Sequence, residues 1–252
     1  MTYKITTLKL GEMTLDKGIL TRGKDVGTKV TVPLWALAIE GNGIKAIVDT
    51  GFRSVEWTKA NGPADIMYAQ SQSEKIVSVL EEIGWTPDDI NVVINTHLHL
   101  ESCGNNNLFK NAKYYIQANE WEFTLNPLPH HKQYYSSELF TTKSVDTTRI
   151  VFVDGEYMLI DGIVLLSTPG HTRGNQSVLV ETEEGIVIFT GGAANLMENI
   201  YENILPNVLD NSPQAYKSLE DFRRKGAYAI PCHEPKISNF ASNGFPLIHP
   251  EN

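Results

Sequence analysis

The chain has 252 residues, 41% hydrophobic and 20% charged, with a formal net charge of −9. Such a composition supplies a sizeable core, and its acidity argues against nucleic acid or an anionic membrane as the main partner. No apolar run reaches the roughly 20 residues of a membrane span, and the opening MTYKITTLKLGEM carries no signal-type apolar segment, so the cytoplasm is the expected compartment.

In chain order, residues 44–48 (IKAIV) read as a buried strand ending in Asp49-Thr50-Gly51. Residues 73–83 read as a helix: Ile76, Leu80 and Ile83 share one face, Ser73 can cap the start and Gly84 can end it. The strand VVIN at 92–95 completes a β-α-β unit that delivers the chain to His97. In the second half, 149–153, 158–160 and 163–167 read as consecutive strands, with Asp161-Gly162 as a two-residue turn between the last pair. Residues 177–181 and 185–190 form a further hairpin, 213–225 a helix with Pro near its first turn, and 228–231 a short strand running into Cys232 and His233. With no repeat and no linker, strands interleaved with helices predict a layered α/β protein.

Four of the seven histidines share one setting, a short loop directly after an expected strand. His97 and His99 follow VVIN, His171 lies in STPGHTRGN after IVLLS, and His233 lies in IPCHEP after AYAI. Loops at strand ends are where α/β sheets place ligands, and imidazole is the commonest protein ligand for zinc. Two histidines two apart on an extended segment point the same way and can reach one ion. A single histidine in such a loop would be an ordinary hydrogen-bonded residue; four in matching contexts favour a metal site. His130, His131 and His249 lack that context; the first two lie in the Pro-containing loop NPLPHHKQYY, which could cover the site, and read first as surface residues.

On these motifs the sequence resembles the metallo-β-lactamase-fold hydrolases, most closely the N-acyl homoserine lactone hydrolases among them. The blocks that carry the resemblance are VPLWALAIE, IVDTG, EEIGWTPDDI, THLHLESCGNN, LLSTPGHTRGNQSVLVET, IVIFTGGAAN and IPCHEP. They cover nearly the whole chain and imply one domain over 1–252, an αββα sandwich of two mixed sheets flanked by helices. The resemblance places His97, His99 and His171 in a first metal site and His233 at a ligand position of a second. Asp49 is implied as a residue that hydrogen-bonds the histidine loop without binding metal.

Four positions depart from the family pattern. Glu101 stands where the family has aspartate, Ser102 where it has a second-metal histidine, and Gly192 where an aspartate bridges two ions. Asn195 is the equivalent of a tyrosine that stabilises the developing oxyanion. Two divalent ions held roughly 3.5–4 Å apart need anionic bridges against their repulsion, so the arrangement favours one ion or none, and the ion expected is zinc, with manganese or iron as alternatives. Glu101 is either a ligand or a general base, and His233 holds either that carboxylate or the oxyanion. Cys103 and Cys232, the two cysteines, flank this constellation; ligand, nucleophile and redox pair are weighed against small residues packed beside the ligands, which the family's alanine or glycine there favours. Trp35, Phe52, Trp57, Tyr134 and Tyr135 are candidates for a pocket lining.

The expected function is metal-dependent hydrolysis of a small ester, lactone or amide, with catalytic roles for Glu101, Asn195 and His233 and metal contacts from His97, His99, His171, Glu101 and His233. Two other readings stay open: a non-catalytic ligand-binding relative, and redox chemistry at one iron. The partner is a small molecule; oligomeric state is open, a homodimer being one option.

Overall fold

The computed structural model describes residues 2–141 and 145–241, so His249 and the ends of the expected domain lie outside the described residues. Long apolar strands set the architecture. β1 (Lys4–Asp16) and β2 (Lys29–Gly41) pair antiparallel, joined through α1 (Lys17–Leu20). In β2, Trp35, Leu37 and Ile39 point to one face and Leu34, Ala36 and Ala38 to the other, and all six are buried. A strand buried on both faces reads as an unbroken apolar run, without the alternation that betrays a half-exposed strand.

The chain continues through β3 (Ile44–Val48), α2 (Val55–Asn61), β4 (Met67–Ala69), α3 (Ile76–Glu82), β5 (Val92–Ile94), α4 (Leu100–Cys103), β6 (Lys113–Gln117), α5 (Ala118–Leu125) and β7 (Ile150–Val153). The second half comprises β8 (Tyr157–Ile160), β9 (Ile163–Ser167), β10 (Gln176–Thr182), β11 (Gly185–Phe189), α6 (Met197–Tyr201), α7 (Ser212–Lys225) and β12 (Tyr228–Ile230). Among the described residues the strands form two mixed sheets, ordered β4-β1-β2-β3-β5-β6-β7 and β12-β11-β10-β9-β8. No helix among them is long and apolar enough to cross a membrane.

Three apolar clusters separate four layers. Leu37, Ile39, Val48 and Ile94 of the first sheet meet Leu165, Val178, Val180 and Phe189 of the second. The first sheet's outer face packs on Ile76, Val79 and Leu80 of α3 and Phe123 of α5. The second sheet's outer face sets Leu166, Ile188 and Ala229 against Ala215, Leu219 and Phe222 of α7. The result is the αββα sandwich of two mixed sheets that the resemblance implied.

One expected element differs. The helix read at 73–83 is split into a 3-10 turn over Gln72–Glu74 and α3, with Lys75 extended between them. The cap is Ser71, not Ser73: the Glu74 carboxylate reaches back to accept the Ser71 backbone N–H at 2.7 Å and its hydroxyl at 2.9 Å. Gly84, at φ +74°, ends the helix left-handed as expected.

Parallel pairing gathers strand ends. β3 and β5 run side by side, β9 and β11 are both antiparallel to β10, and β12 is parallel to β11. The loops after β5, β9, β11 and β12 meet along one seam between the sheets. Gln176 sews it, its backbone N–H donating to Thr96 O at 2.8 Å and its side-chain amide to Asn95 O at 2.9 Å.

Candidate metal centre

The loop after β5 is held from below. Asp49, left-handed at φ 60°, accepts the Thr96 backbone N–H at 2.8 Å and the Thr96 hydroxyl at 2.7 Å. It is the supporting residue expected, and burial pushes its carboxyl up to about 7. A threonine hydroxyl has one proton, and here Asp49 receives it, so toward His97 Nδ1, 2.9 Å away, the same oxygen accepts. His97 therefore carries its ring hydrogen on Nδ1 and leaves Nε2 bare.

The same logic fixes two other imidazoles. His171 Nδ1 lies 2.8 Å from Val208 O and His233 Nδ1 lies 3.0 Å from Pro33 O. A carbonyl only accepts, so both rings donate from Nδ1 and present a bare Nε2. His171 Nε2 faces His99 Nδ1 at 3.1 Å.

His97, His99 and His171 are all buried, and their ligand atoms lie within 4.8 Å of one another. The rings stand edge to face, with centroids 4.6, 4.9 and 4.8 Å apart. His97 Nε2 is buried without a hydrogen-bond partner among the described residues. Lone pairs converging at this range repel unless a proton or cation lies between them, and three neutral imidazoles are a set that zinc takes. The residues fit a divalent ion. Burial lowers His99 and His171 as bases, the latter well below the usual range because His99 and His97 add like charge. Burial also opposes protonation of His97, but the Glu101 carboxylate beside it reverses the direction and raises it.

Glu101 Oε1 lies 3.6 Å from His97 Nε2 and 3.5 Å from His99 Nδ1, with the side chain 12% exposed. Burial works against its charge, yet contacts with both imidazoles hold its carboxyl well below the usual carboxylate range. Glu101 and His233 lie outside the group of mutually close ligand atoms. Both nevertheless line the same cavity as the triad, of about 40 Å³, together with Asn195 and Tyr134. Its lining also includes the apolar side chains of Met13, Leu15, Ile19, Leu20 and Ile66.

The Cys232 thiol has two acceptors in reach, Asn195 Oδ1 at 3.6 Å and Ala194 O at 3.8 Å, and the Asn195 backbone carbonyl accepts the His233 N–H at 3.0 Å. The Asn195 amide nitrogen has no partner among the described residues. At Gly192, the position the resemblance matched to a bridging aspartate, a Cβ would fall 2.2 Å from His171 Cδ2. The His171 ring fills that space.

Some expected residues lie elsewhere. Of the five aromatics only Tyr134 lines the cavity. Trp35 is packed between the sheets and donates from Nε1 to Glu234 O at 2.9 Å. Phe52 stacks on Tyr68 in the helix-side core, where Trp57 also packs. Tyr68, which the sequence did not single out, lines the cavity instead. Both cysteines are free and buried, and burial pushes both thiols well above their ordinary range, so neither is poised as a thiolate.

Of two further buried residues, one was misplaced and one unrecognised. His131, expected at the surface, is 0% exposed, ringed by His99, Phe123 and Tyr134, while His130 beside it is exposed. The pair HHK in a Pro-containing loop gives no sign which imidazole turns inward. Glu120 on α5 is fully buried beneath the histidine loops. Its only sequence signal is a glutamate in the first turn of a short helix after a strand.

Comparison with known proteins gives the same picture. The profile of the Metallo-beta-lactamase superfamily matches residues 32–233. An N-acyl homoserine lactonase of Bacillus cereus is 29% identical over 205 residues, 78% of this chain and 78% of that protein. One of Azorhizobium caulinodans is 27% identical over 188 residues, 69% of this chain and 70% of that protein. An N-acyl homoserine lactone hydrolase solved with the product N-hexanoyl-L-homoserine at its catalytic metal centre superposes with a TM-score of 0.82 at 26% identity, covering 93% of this chain and 94% of that one.

Proposed function

This chain belongs to the metallo-beta-lactamase superfamily and is a lactonase-like hydrolase, and from that premise we propose that it opens a small lactone, ester or amide at a site holding one divalent ion, zinc in the first instance. The observation that carries the single-ion reading is the contact at Gly192. The position from which a carboxylate would bridge two ions has no side chain, and the His171 ring occupies the space one would need.

His97 through Nε2, His99 through Nδ1 and His171 through Nε2 would hold the ion. Bound there, it would supply Lewis acidity to a substrate carbonyl and to a water molecule. The chain's own groups do the rest. Glu101, a carboxylate at the cavity floor, takes the proton from the attacking water and passes it to the leaving oxygen or nitrogen. Asn195, with Oδ1 in reach of the Cys232 thiol, directs its amide N–H toward the oxygen on which charge develops. His233, fixed by Pro33 O, presents Nε2 to the same cavity. The apolar wall from β1 and α1 seats an apolar substituent and excludes water from the reacting end.

The bound N-hexanoyl-L-homoserine of the similar hydrolase supports a substrate with a polar ring and an apolar tail. Asn195 in place of the family's tyrosine favours a different preference within that class. We also take residues 1–252 as one domain acting on a small molecule.

The test is elemental analysis of protein purified without chelator, with His97→Ala as control, alongside hydrolysis assays on lactones, esters and amides. About one ion per chain, lost in the control, supports the proposal. Two tightly held ions would overturn the single-ion reading, and a chain that takes no metal on reconstitution would overturn the hydrolytic mechanism.

A further inference from the structure

We propose that Glu120 is the positioning residue of this centre, the group that sets the spacing between the His97–His99 segment and the His171 loop; the proposal rests on the reading that the triad holds an ion. Its carboxylate is 0% exposed and gathers donors from three distant places. Oε1 accepts the Leu98 backbone N–H at 2.8 Å and the Tyr135 hydroxyl at 3.0 Å. Oε2 accepts the Thr172 hydroxyl at 2.6 Å and the Gly174 backbone N–H at 3.2 Å. Leu98 is the residue between two of the ligands, and Thr172 directly follows the third. One side chain therefore grips both halves of the triad.

Four donors use the carboxylate's four lone-pair positions, and no lysine or arginine pairs with it among the described residues. The carboxylate's acceptor positions are filled by dipoles alone, close to the three imidazoles, an arrangement complementary to a cation in the triad. Packing repeats the message. A Cβ on Gly174 would fall 2.1 Å from the Glu120 backbone nitrogen, so the His171 loop is pressed against the start of α5.

The isosteric amide cannot replace this group. Each oxygen faces one backbone N–H that cannot reorient, so whichever way Glu120→Gln turns, its NH2 confronts a donor. The spacing of His99 Nδ1 and His171 Nε2 then relaxes. Tyr135 extends the brace, since its ring also packs against His99 with centroids 4.6 Å apart.

The test is cobalt(II) binding to the whole chain, measured by competition affinity and by the visible ligand-field spectrum. Glu120→Gln is expected to bind cobalt about 10- to 100-fold more weakly, with displaced bands. Val180→Ala, a truncation between the sheets, should lower the unfolding midpoint and leave the spectrum unchanged, which separates positioning from general loss of stability. Wild-type affinity and spectrum in a folded Glu120→Gln overturn the proposal while the metal reading stands. If wild-type chain takes up no cobalt, the metal reading falls and the proposal with it. Should Glu120→Gln not fold, Thr172→Val, which removes one hydroxyl donor, decides. A displaced spectrum with weaker binding supports the role, and wild-type behaviour overturns it.

Discussion

The His171 imidazole lies where the side chain of residue 192 would begin: a Cβ on Gly192 would stand 2.2 Å from Cδ2 and 2.7 Å from Nε2 of that ring. Atoms at those separations overlap deeply, so an aspartate at 192 and this placement of His171 exclude one another. The absence of a side chain at 192 and the inward seat of His171 go together.

Gly192→Asp should therefore not restore a second ion in one step. It is expected to destabilise the metal-free chain by about 1–3 kcal/mol through overpacking, measured by urea unfolding. A variant as stable as wild type that binds two ions would show that the ring yields freely.

Glu101→Gln keeps the volume and removes the proton acceptor. Turnover on a lactone or ester substrate should fall roughly 10²- to 10⁴-fold, with metal content unchanged. Parallel loss of the ion would instead make Glu101 a ligand.

Asn195→Ala tests the proposed amide donor, since Asn195 lines the cavity. The expected effect is a fall in kcat of about 10²- to 10³-fold without loss of metal. An unchanged kcat would assign oxyanion stabilisation to another group.

Metal itself should stabilise the fold. At a free zinc concentration 100 times Kd the gain is about 2.7 kcal/mol, or roughly 5–11 °C in Tm for a chain of this size. His171→Ala should abolish the shift, which differential scanning calorimetry with and without chelator would read.

His131 makes the metal-free chain sensitive to acid. Burial, reinforced by like charge on His99 and His130, pushes its imidazole down to about 4. The unfolded chain, near 6.5, binds more protons between these values, so stability present above pH 6.5 is lost as pH falls toward 4. One such histidine contributes a slope of up to about 1.4 kcal/mol per pH unit. His131→Phe should flatten urea-midpoint profiles across that window, and an unaltered slope would mean the ring is reached by water.

What the sequence disclosed follows from how local each signal is. β3 and β9 were legible because short apolar runs adjoin punctuating residues, Asp49-Thr50-Gly51 after the first and the Asp161-Gly162 turn before the second. The ligand histidines were legible because their loops repeat one context. β2 escaped because it is buried on both faces and has no alternation to detect, and β1 because a buried polar residue, Thr7, and a register shift between Lys9 and Glu12 break its pattern. Glu120 escaped for a different reason: its partners are 15, 22, 52 and 54 residues away, and only the folded sheets bring them together. His131 was misread because burial of one histidine of a pair is decided by Phe123 and Tyr134, not by its neighbours in sequence.

The seam between the sheets has a mechanical meaning. His97 and His99 follow a strand of one sheet and His171 a strand of the other, 72 residues beyond His99. An ion shared by them would join the two sheets as a crosslink joins two chains, yet a chelator could undo it. Force or denaturant applied to the loaded protein should thus find this edge the last to part, and the stripped protein should open there first.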